Sequence, residues 1–285
     1  MSARRALRGC TRAALITLAA CQSSKTAHDA APDTPAAPAA NVITVTTSDF
    51  HFDAPAETRA GPTTIRLVNQ GPSPHHVQLI RLDQGKTADD LLAALKAQGP
   101  WPQWAILAGG PNPPEVGSSA STTVMLDAGN YIIVCFIPSA DGVPHMMKGM
   151  VHPLTVTAAT GPTPAEPTAD LVVKLVDFDF QLSGPLTAGH HVLRVENSAG
   201  QPHEIAIIQL KPGKEPMDFA AWGEKQQGPA PGAMFGGVSG IMPGTHAYAT
   251  VDLPPGEYAL ICFAPDVKDG KPHFVHGMAK KITVS

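Results

Sequence analysis

The chain has 285 residues, 43% of them hydrophobic and 15% charged, with 20 basic against 24 acidic side chains and a formal net charge of −4. That acidic balance argues against a nucleic-acid partner and against electrostatic adhesion to anionic lipid. The length is enough for more than one hydrophobic core.

The first element is an export signal. Arg4, Arg5, Arg8 and Arg12 precede an apolar stretch, Ala13 to Ala20, that is too short to span a bilayer as a helix. Residues 1–20 therefore read as a signal peptide. Leu18-Ala19-Ala20-Cys21 resembles a bacterial lipoprotein box, which implies cleavage before Cys21 and lipidation of its thiol. A plain secretory signal with an incidental Cys21 is the alternative, and on either reading the chain leaves the cytoplasm for the periplasm or the cell surface. Loss of residues 1–20 removes four arginines and no acid, leaving 16 bases against 24 acids and a net charge of −8. Residues 21–40 then read as the lipidated cysteine and a flexible Ala/Pro/Thr/Ser tether, with no transmembrane segment after it.

From residue 41 the pattern is mostly strand. Val42–Thr47, Thr63–Val68, Val77–Ile80, Thr122–Leu126 and Tyr131–Val134 are rich in β-branched residues and separated by Gly, Pro, Asn and Asp clusters. One helix interrupts them: Thr87 can cap Ala88 to Lys96, with acids in its first turn. A Gly109-Gly110 loop follows. The whole pattern then repeats. Asp49-Phe50 matches Asp177-Phe178, Asn69 matches Asn197, and Gly109-Gly110 matches Gly236-Gly237. The second helix starts near Pro216 and contains Phe219 and Trp222. The expectation is all-β: two tandem Greek-key β-sandwich domains, 41–158 and 170–285, joined by linker 159–169, each with a short helical insertion lying over one end of the sandwich.

The repeat also duplicates a set of metal-ligand side chains. Pro74-His75 matches Pro202-His203. Tyr131-x3-Cys135 matches Tyr258-x3-Cys262. His145-x4-Met150 matches His273-x4-Met278. Each half thus offers two imidazoles, a thiol and a thioether, the donors of a mononuclear electron-transfer copper site. Of four cysteines, Cys10 and Cys21 lie in the export region, leaving one per repeat, which suits ligation better than a disulfide framework. A Cys135–Cys262 bridge or two inert core thiols are the alternatives. His76 rivals His75, but its counterpart is Glu204; Met146 and Met147 rival Met150, but Phe274 and Val275 stand opposite them.

Each repeat resembles a cupredoxin domain, the plastocyanin and azurin family, in its Pro-His strand and its closing Cys–loop–His–loop–Met. The resemblance implies His75, Cys135 and His145 as equatorial donors with Met150 axial, and His203, Cys262 and His273 with Met278 likewise. It implies copper, one ion per domain, with zinc able to use the same donors. The Cys-to-His loops, residues 136–144 and 263–272, are longer than in the family's simplest members and similar to those of copper nitrite reductases. The implied function is a membrane-anchored, extracytoplasmic copper protein acting in one-electron transfer or copper handling with a protein partner, and not an enzyme. A metal-free binding module and a nitrite-reductase-like enzyme are the alternatives. The latter needs a second copper, for which His190, His191 and His246 are conceivable donors. The His-x-His pairs of multicopper oxidases are missing from the sequence.

Overall fold

The computed structural model describes residues 40–97 and 99–285. The export signal, Cys21 and the tether up to residue 39 lie outside the described residues. The described part forms one compact unit.

Its first half runs β1 (Asn41–Ser48), β2 (His51–Asp53), β3 (Glu57–Arg59), β4 (Gly61–Asn69), β5 (Gln78–Leu82), α1 (Ala88–Lys96), β6 (Ala105–Leu107), β7 (Ser119–Leu126), β8 (Gly129–Val134) and β9 (Val151–Thr157). The second runs β10 (Leu171–Val176), β11 (Asp179–Leu182), β12 (Gly189–Asn197), β13 (His203–Leu210), α2 (Pro216–Lys225), β14 (Gly232–Ile241), β15 (His246–Leu253), β16 (Gly256–Ile261) and β17 (Ala279–Val284). The fold is all-β in class, two β-sandwiches, each carrying one α-helix among the described residues. In the first, β2-β1-β4-β7 faces β3-β9-β8-β5-β6; in the second, β11-β10-β12-β15 faces β14-β13-β16-β17.

Period-two alternation sorts the strands. In β1, Ile43, Val45 and Thr47 are buried while Val42 and Thr44 are exposed, so one side faces the core and the other water. β8 and β16 differ, being buried on both sides. Tyr131, Ile133 and Cys135 point into the space between sheets, whereas Ile132 and Val134 join Ile80, Leu82, Leu91 and Met146 on the opposite face. In β16, Tyr258, Leu260 and Cys262 point inward, and Ala259 and Ile261 join Phe219, Ala220 and Phe274 outside.

That second apolar face accounts for the helices, and it corrects their expected position. Each packs on the outer face of a second sheet rather than over an end of the sandwich, because a strand apolar on both sides needs cover on both. α1 starts as the sequence implies: Thr87 Oγ1 accepts from Asp90 N–H, and Asp90 accepts back from Thr87 N–H. α2 starts with Pro216 at its first position, and Asp218 accepts from Glu215 N–H.

The halves are joined edge to edge. β7 pairs antiparallel with β15, making one eight-stranded sheet of the two first sheets. The pairing is self-complementary. Gly109 and Gly236 set the repeat offset at 127 in this region. Thr122 pairs with its own counterpart Ala249, and Pro111 bridges its own counterpart Val238. A residue can pair with its own equivalent only on a two-fold axis, so the halves meet as an isologous dimer does. Linker residue Glu166 is tied down by Tyr248 Oη at 2.6 Å, His246 Nε2 at 2.9 Å and Arg194 Nη1 at 3.3 Å.

Candidate metal centres

In each half, three short segments meet at one end of the sandwich. The loop after β4 is shaped by Asn69, which accepts from Gly71 N–H and donates to Ser73 O at 3.0 Å, setting up Pro74-His75. Asn197 does the same with Ala199 N–H and Gln201 O before Pro202-His203. A Cβ on Gly71 would stand 2.8 Å from His75 Nε2, so the loop presses directly on the ring. Next, Cys135 continues the inward positions of β8, and Cys262 those of β16.

The Cys-to-His loops, despite their length, fold back as ordered hairpins. His145 N–H donates to Ile137 O, and Met146 N–H to Cys135 O, both at 2.9 Å. His273 N–H donates to Ala264 O at 2.9 Å, and Phe274 N–H to Cys262 O at 3.1 Å. Each hairpin runs into a 3-10 turn, His145–Lys148 or His273–His276. A glycine ends the turn in the left-handed region, Gly149 at φ 102° and Gly277 at φ 108°. The reversal lets Met150 N–H reach His145 O and Met278 N–H reach His273 O. Both methionine side chains are fully buried in the core that holds the cysteines.

The donor atoms converge. His75 Nδ1 and His145 Nδ1 are 3.1 Å apart, and Cys135 Sγ is 3.5 Å from His145 Nδ1. Cys262 Sγ is 3.8 Å from His203 Nδ1 and 3.3 Å from His273 Nδ1. Bonds of about 2.0 Å to nitrogen and 2.3 Å to sulfur in a tetrahedral shell put nitrogens about 3.3 Å apart and sulfur about 3.5 Å from nitrogen. Each cage is therefore one metal ion wide. Asp49 Oδ1 lies 3.3 Å from His75 Nε2, and Asp177 Oδ1 lies 2.7 Å from His203 Nε2. A carboxylate there accepts a hydrogen bond from Nε2–H, which fixes the proton on Nε2 and leaves the Nδ1 lone pair pointing into the cage. With no cation between them, a second lone pair 3.1 Å away is repulsive unless one nitrogen keeps a proton.

Burial sets the charges. It lowers His75 and His203 against the raising effect of their aspartates, and it lowers His145 and His273 to about 4, helped by the neighbouring imidazole. It pushes the Cys135 thiol up to about 12 and raises Cys262 further. Opposing this, each sulfur accepts backbone N–H bonds, from His76 and Ile137 in one half and from Glu204 and Ala264 in the other. The metal-free cages are thus neutral thiol and imidazole, and a metal would bind by displacing the thiol proton.

The rival donors fall elsewhere. His76 turns to the outer side, where its Nε2 accepts from Phe136 N–H at 2.8 Å; Glu204 Oε1 takes the same bond from Phe263 N–H at 3.0 Å. Met146 and Met147 pack under α1, on the face away from the cage. Both cysteines are free. His190 bonds Asp252, His191 bonds Asp170, and His246 bonds Glu166. His190 pairs with Asp252 while His246 pairs with Glu196, so the described residues place these histidines at opposite ends of the β12–β15 ladder.

Two groups carry roles that sequence reasoning missed. The first is the Asp-Phe pair. Its aspartate orients one imidazole while its phenylalanine stands edge-on to the other, Phe50 to His145 at 5.2 Å and Phe178 to His273 at 5.3 Å. Its recurrence in both repeats was the available signal. The second is Asp266, Asp269 and His276, whose ligand atoms also lie close together. Asp266 accepts from Gln201 Nε2 and from Lys268 N–H, and Asp269–His276 at 3.2 Å holds the place of the Asp141–Lys148 ion pair in the first half. This cluster staples the loop.

No protein-family model matches the chain, and no curated protein does. Among solved structures it is similar to a dithionite-reduced auracyanin from Roseiflexus castenholzii, at 18% identity over 43% of this chain and 100% of that one, with a TM-score of 0.30. It is also similar to a blue copper oxidase from Nitrosomonas europaea, at 16% identity over 86% of both chains and a TM-score of 0.27. A third is a copper-containing nitrite reductase from Thermus scotoductus, at 9% identity over 86% of this chain and 61% of that one, with a TM-score of 0.23. At such TM-scores these likenesses place no residue of this chain.

Proposed function

We propose that the chain is an exported, lipid-tethered copper protein that carries single electrons, with one type-1-like site in each half. The ligands are His75, Cys135, His145 and Met150 in the first, and His203, Cys262, His273 and Met278 in the second. The observation that carries this reading is the pair of buried His–Cys–His cages, each one ion wide. Bound copper supplies a reversible one-electron couple, Cu(I)/Cu(II). The chain's residues do the rest. The cysteine gives a polarisable thiolate, and the aspartates fix the tautomer and tilt of the first imidazoles. Core packing holds the donors nearly still between oxidation states.

Enclosure favours electron transfer over copper delivery. His75, Cys135, Met150, His203, Cys262, His273 and Met278 are 0% exposed and His145 is 1% exposed, so nothing in the cage is open to a metal acceptor. An electron needs no such opening. His145 lies at the floor of a surface pocket of about 260 Å³ formed with Phe50, Pro74 and Trp222, where a redox partner can come close. No helix among the described residues is long and apolar enough to cross a membrane; the proposed tether is the lipid on Cys21.

Metal analysis of the exported, signal-cleaved protein tests the reading. Two coppers per chain and a strong visible sulfur-to-copper absorption are expected, and Cys135→Ser should remove about half of each. No copper after reconstitution under reducing conditions, or zinc retained in both cages, sinks it.

A further inference from the structure

The two cages share a buried polar connection that neither needs as a separate site. Phe136 N–H, the amide next to Cys135, donates to His76 Nε2 at 2.8 Å. Since Nε2 accepts, Nδ1 carries the ring proton and donates to Asn112 Oδ1 at 3.4 Å. Asn112 Nδ2 then crosses to the other half and donates to Ile205 O at 3.0 Å and Val238 O at 3.1 Å. One residue back along β13, Glu204 N–H donates to Cys262 Sγ at 3.4 Å. His76 and Asn112 are 6% and 3% exposed, so the whole run lies out of water.

The run sits on the pseudo-dyad. At the local offset of 127 the counterpart of Asn112 is Ser239. Ser239 Oγ donates to Val77 O at 2.8 Å, the equivalent of the bond from Asn112 to Ile205 O. Each half thus sends one side chain across the axis to the carbonyl next to the other's first-histidine segment. The serine ends there. The asparagine alone has a second polar atom, and it uses it to take up the His76 ring.

We propose that His76 and Asn112 bridge the two copper sites so that an electron passes between them within one chain. The inference rests on the copper reading above. In the exchange one site goes from Cu(I) to Cu(II) while the other goes from Cu(II) to Cu(I). One electron moves, no bond forms or breaks, and no proton leaves. The geometry favours this because every link from one sulfur to the other is a covalent bond or a hydrogen bond, with no gap to cross through space, and because neutral groups in a dry core reorganise little.

The test uses the full two-copper protein, half reduced, and reads the proton NMR line widths of the ligand histidines, which broaden as the electron moves. Broadening at both sites that is unchanged on dilution is expected. It is expected to be lost in Asn112→Ser, which copies Ser239 and strands His76, while copper content and absorption stay as in the parent. Ser239→Ala breaks the dyad-related bond and leaves the run intact, so broadening persists there and the inference stays testable if Asn112→Ser does not fold. Broadening that disappears on dilution, that is missing from the parent, that survives in Asn112→Ser, or that is lost in Ser239→Ala overturns the bridge. A parent protein without two coppers and their absorption refutes the copper reading instead.

Discussion

At the residue scale the cages show how burial and hydrogen bonding divide the work. Burial alone would leave thiols and imidazoles as inert packing. The aspartates and backbone amides convert that packing into aimed donors. Phe50 shows that the arrangement has a cost, since it holds a left-handed φ of 58°, a strain of about 1–2 kcal/mol for a residue with a Cβ. Burial also gives the metal-free protein a pH dependence. His76, His145 and His273 are lowered from 6.5 to about 4, so the unfolded chain binds more protons between those values. Their contribution is complete above about 6.5 and is lost as pH falls toward 4. Glu204, raised by burial from 4.5 to about 7, works the other way, being lost as pH rises through that interval. His75 and His203 are lowered in the same sense, so five histidines oppose one carboxyl, and the melting temperature of the metal-free protein should climb from pH 4.5 to 6.5, more steeply in Glu204→Gln. A flat or falling profile in calorimetry would contradict this.

At the element scale, β8 and β16 organise each half. Alternate residues face the cage side and the helix side, so one strand delivers the cysteine and also demands a covering helix. The two faces should respond separately to mutation. Leu91→Ala, on the buried face of α1, should cost about 2–5 kcal/mol in denaturant unfolding. The copper bound per folded chain should not change, because Leu91 lies across the sheet from the donors. Loss of one copper without loss of stability would show that the faces are not independent. The Gly-Gly segments, the first in a loop and the second inside β14, serve the same elements. A Cβ on Gly110 or Gly237 would stand 2.3 Å from Val77 O or 2.0 Å from Ile205 O, and both glycines have positive φ, so either segment can lie flat against the first-histidine segment only without side chains.

At the scale of the whole molecule, the β7–β15 pairing and the bonds across the pseudo-dyad make the halves one body. The residues packed between the sheets of both sandwiches fall in a single cluster. Unfolding either half would strip a paired edge and a buried polar surface from the other. A single calorimetric transition is therefore expected for the metal-free protein, with van't Hoff and calorimetric enthalpies in agreement. Two resolved transitions would mean that the shared sheet contributes little.

Much of this was legible in one dimension. Strand alternation, the Thr87 cap and the Gly/Pro turns are local, and period and capping chemistry suffice to read them. The donor residue types and their recurrence were legible too, because a duplicated Cys-loop-His-loop-Met stands out from its surroundings. What Asp49-Phe50 and Asp177-Phe178 do was not legible: the pair was visible as a repeat, but its partners lie 26 residues away for the aspartate of either half. Nor was the place of the helices: the unbroken apolar runs of β8 and β16 show that both faces need cover, but not which element supplies it. The meeting of the halves about a dyad belongs to tertiary structure alone. Pairing of edges and a lone Asn112 reaching Ile205 O 93 residues on are set by which surfaces fit once each sandwich has closed, and no local pattern encodes that fit.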